Sequence, residues 1–455
     1  MSYSSRYGRK PNEYASKSAH TMLINDSEMN EYLTDCNFPK EGAVIELPKE
    51  NMLKVSLNET TIKYIVAVDG GYDTVSTNKN FPSATVSFFQ FGALMFKIED
   101  LKQIEQQAFI KPADMQKLKN IERIKLALPT RYVTYKKEKN LINSIRKTLY
   151  DFFMKKPKEE NEKTSNFMKT LSWLVFSEYK TKKGDAHFKS YSLSSCPECG
   201  EKNILLKKEN MSKDYTFLCN CGAEIYLVDV FRLHEAIDNE LGAGGILGYV
   251  TNLLEQFVII DLIRTIYYKN KLLLRETMFI KDGPLGFFGQ TARMHKLFRD
   301  LFIFLLDEGV AINLVGVEKS GVFVEHADQI RGKLGKGECL LLGNDYIYGN
   351  ILPSVDNDQP YAGTSYYSGK IIYRTDLDQM FVITIPTTSS EVYINPEKHF
   401  YINIDNILSH LPDLKCDMYD NALFPVAMAN KLVSLSSHPS STILETFLRE
   451  KVNNK

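Results

Sequence analysis

The chain has 455 residues, of which 44% are hydrophobic, enough for one elaborated domain or for two or three domains with a substantial core. Lys and Arg together number 56, as do Asp and Glu, so the formal net charge is zero. Dedicated DNA-binding proteins often have a strongly basic balance, because phosphate contacts dominate their affinity. If this chain acts on nucleic acid, its basic groups are therefore local or a partner delivers the substrate.

The first third of the chain predicts a polar arm, then strands, then helices. Residues 1–60 are polar, with short helical segments such as Ser27–Leu33. The next residues have the composition of β-strands, which are predicted at Ile62–Val68, Ala84–Phe91 and Ala93–Ile98. Only a few turn residues separate these strands, so they are expected to pair as an antiparallel meander. From Ile98 to about Phe153 the composition predicts helices.

The second half predicts alternating helices and strands. Residues 228–266 read as helical, with an interruption at Gly242–Gly245. An amphipathic helix is predicted from the spacing of Met294, Leu297, Phe298, Leu301, Phe302 and Leu305, and Gly309 is expected to end it. The following run, Ala311–Val317, completes a strand–helix–strand crossover over residues 278–317. Further strands are predicted at Cys339–Leu342, Gly369–Tyr373 and Met380–Ile385, and a last helix from Pro425 to about Leu435.

The predicted compartment is the cytoplasm, with no membrane association. The first residues of the given sequence are polar and do not contain the apolar segment of a signal peptide. The apolar stretches near Phe257–Ile266 and Leu301–Leu306 read as too short and too interrupted by charge to span a membrane. The seven cysteines are an odd number and four of them cluster, which favours a metal site in a reducing compartment over a disulfide framework.

Two strand-like apolar runs end in Asp-Gly, at Asp69-Gly70 and at Asp282-Gly283. A carboxylate at the C-terminal end of such a strand lies where open sheets bind their ligands, and the glycine after it allows a sharp turn. Two aspartates on neighbouring strand ends suit a pair of divalent cations, which take oxygen ligands and can assist an in-line displacement at phosphorus. Each Asp-Gly is also compatible with an ordinary turn. The occurrence of two such Asp-Gly endings favours a catalytic metal site over two ordinary turns.

Four cysteines have the spacing of a zinc ribbon, in Cys196-x-x-Cys199-Gly and Cys219-x-Cys221-Gly. Four thiolates on two turns suit tetrahedral zinc, and such a site has no open coordination position, so its role is structural. The second turn is one residue shorter than the usual Cys-x-x-Cys.

Two further features bear on the chemistry. Lys319 follows the strand that ends at Val317, where a lysine beside two metal-binding aspartates would neutralise a scissile phosphate, although a solvated loop lysine fits the sequence equally well. The stretch from Asp69 to Thr74 also resembles the first phosphate loop of actin-like kinases. No glycine-rich second phosphate hairpin follows it in the sequence.

Taken in order, these features resemble the NurA nuclease family. The resemblance rests on Val68-Asp69-Gly70, on Asp282-Gly283-Pro284-Leu285 and on Gly316-x-x-Lys319, and more loosely on Phe424-Pro425 and Ala429-Asn430. It implies an α/β fold with a ribonuclease H-like core, a mixed sheet with flanking helices, into which a helical and zinc-ribbon region is inserted. It also implies a manganese- or magnesium-dependent deoxyribonuclease.

The resemblance assigns site residues one by one. Asp69 and Asp282 would be metal ligands, and Glu255 would be the glutamate that the family places on the helix before the second aspartate; Glu240 and Glu276 fit less well. Lys319 would assist catalysis. Asn430 stands where the family usually has a histidine. Loss of that possible ligand or proton carrier raises a second reading, a catalytically degenerate scaffold or DNA-binding subunit.

The resemblance also implies partners and a division of the chain. The expected partners are DNA, a HerA-like hexameric ATPase and a second copy of the chain, with a role in DNA end processing or in defence against phage. The expected division is an arm at 1–60, a first core part at 61–135, an insert at 136–240 with the ribbon at about 190–230, and a second core part at 241–455.

Overall fold

The computed structural model has mixed α/β secondary structure. It describes residues 18–38, 45–56, 61–100, 119–155, 166–180, 188–353, 360–361, 363–416, 423–435 and 440–453. The chain divides into two units, Met1–Ile45 and Glu46–Lys455. The first unit contains helices α1 (Ser18–Ile24) and α2 (Ser27–Asp35), and Asp26 caps α2 by accepting a hydrogen bond from the amide of Met29.

The second unit is built on a nine-stranded sheet in the order β1-β11-β12-β13-β10-β9-β2-β3-β4. β2, β3 and β4 form an antiparallel meander, β9 runs parallel to β2, and β10 runs parallel to β9. This arrangement is the strand order of a ribonuclease H-like core, so the predicted fold class is confirmed. The strands are β1 (Met52–Lys54), β2 (Tyr64–Ser76), β3 (Thr85–Lys97), β4 (Lys119–Arg131), β9 (Thr277–Asp282), β10 (Asn313–Glu318), β11 (Glu338–Leu341), β12 (Ser368–Arg374) and β13 (Met380–Pro386).

The third strand of the meander corrects a sequence prediction. Helices were expected from Ile98 to about Phe153, but Lys119–Arg131 is strand β4. Its apolar residues Ile124, Leu126 and Leu128 are buried and alternate with exposed Arg123 and Lys125. This is the period of two that places successive side chains on opposite faces of a sheet, and it outweighs the helix-favouring lysines and glutamates around it.

Strand β2 continues beyond the point where it was predicted to end. Its parallel pairing with β9 stops at Val68, opposite Lys281, but its antiparallel pairing with β3 runs on from Asp69 to Ser76. Asp69 therefore lies within a strand and not at a strand end. By contrast, β9 ends at Asp282 as predicted.

Helices cover the sheet. The crossover from β9 through α6 (Met294–Asp307) to β10 is confirmed. Gly309 follows the last turn of α6, and its φ of 74° suits a helix C-terminus. Helix α10 (Phe424–Val433) lies close to β2, and a Cβ added to Gly71 of β2 would be 3.1 Å from the carbonyl oxygen of Val433. The helices are α3 (Leu141–Met154), α4 (Phe167–Val175), α5 (Leu247–Asn270), α6 (Met294–Asp307), α7 (Val322–Ile330), α8 (Asn344–Asn350), α9 (Ile404–His410), α10 (Phe424–Val433) and α11 (Ser440–Asn453).

The long helix α5 differs from its prediction in two ways. It begins only at Leu247, because residues 227–236 form short 3-10 turns and Gly242 has a φ of 99°. Together with its flanks it makes a helical stretch, Gly244–Leu274, long and apolar enough to cross a membrane by length and composition, contrary to expectation. Of its most apolar window, 67% is buried within the protein, as in a core helix that is apolar on all sides.

Two small hairpins follow α4. They are β5 (Tyr191–Ser195) with β6 (Lys202–Leu206), and β7 (Thr216–Leu218) with β8 (Glu224–Tyr226). Cys196 and Phe217 of these hairpins belong to the same buried apolar cluster as Val66 of β2 and Phe257 of α5. The division into an arm, two core parts and an insert stays a prediction. Apolar side chains from the described part of residues 136–240 belong to the same core as the sheet.

Candidate metal centre

Asp69 is a buried carboxylate with one unsatisfied oxygen. The residue is 3% exposed, and its Oδ1 accepts a hydrogen bond from the Gly70 amide at 2.7 Å. Oδ2 is buried without a hydrogen-bond partner. Burial, and then the negative charges of Asp282 and Glu255, raise the pKa of Asp69 to about 7, against smaller opposing effects of Lys319 and the Gly70 amide. A buried carboxylate is costly unless a cation or hydrogen bonds compensate it, so this position calls for a cation.

Asp282 lies beside Asp69 on the adjacent parallel strand. Since Val68 pairs with Lys281, the two aspartates follow at equivalent positions of β2 and β9. Lys319, just after β10, places its Nζ 2.9 Å from Oδ2 of Asp282. Gly283 then turns the chain at a φ of 79°, as the Asp-Gly pattern predicted.

Glu255 approaches the same place from helix α5. A Cβ added to Gly70 would be 3.1 Å from Oε1 of Glu255, so Gly70 leaves room for this carboxylate. Burial raises the pKa of Glu255, and the neighbouring charge of Lys281 acts in the opposite direction. The structure thus brings together all four residues that the sequence nominated at this site: Asp69, Glu255, Asp282 and Lys319.

Lys281 is the residue that sequence reasoning missed. Its Nζ lies 2.8 Å from Oε2 of Glu255, both side chains are buried, and it donates a hydrogen bond to the carbonyl oxygen of Asp282. The signal was present in the sequence, because a lysine inside an apolar strand needs a buried acidic partner.

The charges around Asp69 favour a divalent cation at this residue. Lys281 and Lys319 balance the charges of Glu255 and Asp282, which leaves Asp69 without a positive partner among the described residues. Its free Oδ2 lies beside the carboxylates of Asp282 and Glu255, and carboxylate oxygens are the ligands that Mg²⁺ and Mn²⁺ prefer. The three carboxylates do not all lie within 4.8 Å of one another in this structure, so a bound cation would draw them closer together.

The four predicted zinc ligands converge at the turns of the two hairpins. The Sγ atoms of Cys196, Cys199, Cys219 and Cys221 all lie within 4.8 Å of one another, and no other described group of His, Cys, Asp or Glu was found with that spacing. The distance from Cys196 Sγ to Cys221 Sγ is 4.0 Å, and from Cys199 Sγ to Cys219 Sγ 3.7 Å. Tetrahedral zinc with bonds of about 2.3 Å places sulfurs roughly 3.8 Å apart, so the thiols fit the ion.

The remaining nominated residues lie elsewhere or differ from expectation. Glu276 pairs with Lys63, and Glu240 is exposed. Asn430 is exposed on α10. The stretch from Asp69 to Thr74, which resembled a phosphate loop, is continuous strand paired with β3.

Comparison with solved structures finds NurA nucleases, the family that the sequence resembles. The NurA nuclease from Sulfolobus solfataricus matches over 96% of this chain and 93% of that one, with a TM-score of 0.35 and 8% identity. A second NurA structure matches over 95% of both chains, with a TM-score of 0.29 and 12% identity. NurA bound to dAMP and manganese matches over 96% and 97%, with a TM-score of 0.28 and 12% identity.

No family model and no curated protein matches the chain. Since the TM-scores are below 0.5, the fold assignment depends on the strand order, and the site depends on its own side chains.

Proposed function

We propose that this chain is a Mn²⁺- or Mg²⁺-dependent deoxyribonuclease that hydrolyses phosphodiester bonds at Asp69, Glu255 and Asp282. The observation that carries the proposal is the buried, unpartnered Oδ2 of Asp69 beside two further carboxylates. The resemblance of the sequence to NurA nucleases supports the choice of substrate.

Each residue has a distinct task in this proposal. Asp69 and Asp282 hold the cations, and Glu255 completes the ligand set. The cations would supply Lewis-acid activation of water and of the phosphate. Lys319 and Asp282 are both only partly buried, so the ammonium of Lys319 would be able to offset charge that develops on the phosphate. Lys281 positions Glu255 and does not face solvent.

The finer parts of the function belong to the same proposal. The chain would act in the cytoplasm as a homodimer with a HerA-like hexameric ATPase, in DNA end processing or phage defence. Its zero net charge supports a partner, because the chain by itself offers little nonspecific attraction for duplex DNA. The four cysteines would bind one structural zinc ion.

The test is cleavage of end-labelled DNA in Mn²⁺ by the wild-type chain and by Asp282→Asn. Wild type should cleave, and the variant should lose at least about 100-fold in rate, since removing one charged stabilising group typically costs that much or more. Asp376→Asn, in the exposed turn between β12 and β13, is the matched control and should cleave like wild type. Cleavage by Asp282→Asn at half the wild-type rate would contradict the assignment.

The same assay with the ATPase tests the partner. Cleavage of long duplex should rise when the ATPase and ATP are added, because tethering raises the local concentration of DNA at the site. Equal rates with and without ATP hydrolysis would show that the chain works without a motor.

A second candidate is a nuclease-like scaffold without activity. It is favoured by the two ion pairs that already hold Glu255 and Asp282 and by Asn430 in place of the family histidine. DNA binding without cleavage in Mn²⁺, at every DNA length tested and with the ATPase present, would select this candidate.

A further inference from the structure

A basic and aromatic segment, Arg131–Lys139, begins at the last residue of strand β4 and has no part in the site described above. It is called the Arg131–Lys139 loop below. It carries a net charge of +3 in nine residues, within a chain whose net charge is zero. Two tyrosines, Tyr132 and Tyr135, lie between basic residues on either side, Arg131 before them and Lys136, Lys137 and Lys139 after them. Interleaved stacking and cationic side chains are what proteins use to bind single-stranded nucleic acid.

The backbone of the loop holds an unusual conformation. Tyr132, Lys136 and Lys137 have φ values of 50°, 51° and 63°, in the left-handed region that non-glycine residues seldom occupy. Such conformations persist only where the surroundings enforce them, and they concentrate at functional positions.

Contacts with helix α3 fix the middle of the loop. The Tyr135 amide donates to Ser144 Oγ at 3.0 Å, and the Tyr135 hydroxyl donates to Asp151 at 3.1 Å. Lys136 pairs with the same Asp151 at 2.6 Å. Tyr135 and Lys136 are therefore structural, and the loop presents its other side chains from a fixed base.

The side chains left for a ligand are Tyr132, Lys137 and Lys139. Tyr132 is 57% exposed, and the guanidinium of Arg131 lies 5.0 Å from its ring centroid, which steadies the ring by a cation–π contact. Lys137 and Lys139 are exposed, and neither has an ion pair with the described residues. Acidic groups also lie nearby, at Glu138 and at Glu240, whose carbonyl oxygen accepts from Arg131.

The loop and the candidate metal centre share one sheet extension. Arg131 pairs with Thr85, and Thr85 pairs with Ser76, which lies seven residues beyond Asp69 on β2. At about 3.3 Å per residue the loop is roughly 23 Å from Asp69 along the strand.

We propose that the Arg131–Lys139 loop binds single-stranded DNA, with one unpaired base stacked on Tyr132 and the flanking phosphates near Lys137 and Lys139. The proposal rests on the proposed nuclease function, since it assigns the loop to the strand that reaches the metal centre. Duplex DNA lacks an unstacked base for Tyr132, so the loop selects single strands.

The experiment measures binding of a fluorescent 20-nucleotide oligo-dT and of a 20-base-pair duplex by anisotropy, without added divalent metal. All proteins carry Asp282→Asn, so that the DNA stays intact. Tyr132→Ala should weaken oligo-dT binding by about 5- to 150-fold, the range for loss of one stacked base, and leave duplex binding within about two-fold. Tyr32→Ala, which removes a tyrosine that is 65% exposed in the first unit, is the matched control and should bind like the parent.

The lysines are tested through the dependence on salt. Lys137→Gln combined with Lys139→Gln should reduce the slope of log K against log salt by about 1.4, because each phosphate contact of a single strand contributes about 0.7. Lys269→Gln with Lys296→Gln, which removes two lysines elsewhere on the unit, should leave the slope unchanged.

Unchanged oligo-dT affinity in Tyr132→Ala, or equal loss for oligo-dT and duplex, would overturn the proposal. Failure of the nuclease proposal looks different: the wild-type chain would then bind oligo-dT through Tyr132 but not cleave it in Mn²⁺. If the wild-type chain cleaves DNA but its binding does not depend on Tyr132, the proposal for the loop is wrong and the nuclease proposal stands.

Discussion

Replacing Asp69 by asparagine should stabilise the manganese-free protein at alkaline pH. The pKa of Asp69 is raised from 3.8 to about 7 by burial and by its acidic neighbours. The folded chain therefore binds this proton more tightly than the unfolded chain, and the stability that comes from the proton is complete below pH 3.8 and is lost as pH rises to about 7. Asparagine cannot ionise, so the variant does not suffer this loss.

The size of the effect follows from the pKa difference. At about 1.36 kcal/mol per unit, wild type loses about 4 kcal/mol between pH 3.8 and 7, of which roughly 3 kcal/mol falls above pH 5. Melting temperatures of wild type and Asp69→Asn are measured with zinc retained and manganese removed. The advantage of the variant should therefore be small at pH 5 and clearly larger at pH 8.

Manganese should reverse the order. The ion neutralises Asp69 in wild type and stabilises the folded state by mass action, whereas Asp69→Asn has lost the ligand. Asp376→Asn, at an exposed turn, should match wild type in every condition. The contrary result is a melting temperature of Asp69→Asn that falls further below that of wild type at pH 8 than at pH 5. Asp69 would then not be a buried carboxylate with a raised pKa.

Three further predictions concern the partners of buried charges. Lys281→Met should destabilise the protein by about 3–5 kcal/mol because it leaves Glu255 buried without its cation, and added Mn²⁺ should restore part of the melting temperature; a variant indifferent to Mn²⁺ would exclude Glu255 as a ligand. Cys199→Ser should lose one zinc ion per chain by elemental analysis and lower the melting temperature, and zinc-free wild-type protein purified without chelator would contradict it. Arg146→Ala should cost about 3–5 kcal/mol of unfolding free energy through the unpaired carboxylate of Asp229, whereas a change below 1 kcal/mol would mean that water reaches this pair.

Local sequence patterns predicted most of the second half of the sheet. The crossover through α6 was visible because its apolar spacing has the helical period and Gly309 marks its end. Strand β4 was missed although Ile124, Leu126 and Leu128 alternate, because the residues between them, Lys125 and Ala127, have high helix propensity. A strand at this sheet position is stabilised by pairing with β3, and pairing partners are not written in local sequence.

The candidate site divided in the same way. Asp69 and Asp282 were found because each follows an apolar run and precedes a glycine. The prediction of Glu255 depended on the family resemblance, because its neighbouring residues do not distinguish it from other glutamates in predicted helices. Lys281 shows the limit most clearly: its role depends on the depth of its strand and on a carboxylate from another helix, and both are properties of the folded chain.

The two aspartates differ in how firmly their backbones are held. Asp69 has paired strand on both sides along β3, whereas Asp282 is the last residue of β9 and precedes a left-handed glycine. Beyond Asp282 the Gly283 amide donates to the Val317 carbonyl oxygen and the Leu285 amide donates to the Thr384 hydroxyl, so the chain is held there by separate hydrogen bonds and not by a continuous ladder. Amide hydrogens around Asp69 should therefore exchange only in large-scale opening, while those of Gly283 and Leu285 should exchange in a smaller, local opening. In the proposed nuclease, a motion that admits a phosphodiester or releases the product would then occur on the Asp282 side, and Asp69 would be the fixed reference point of the centre.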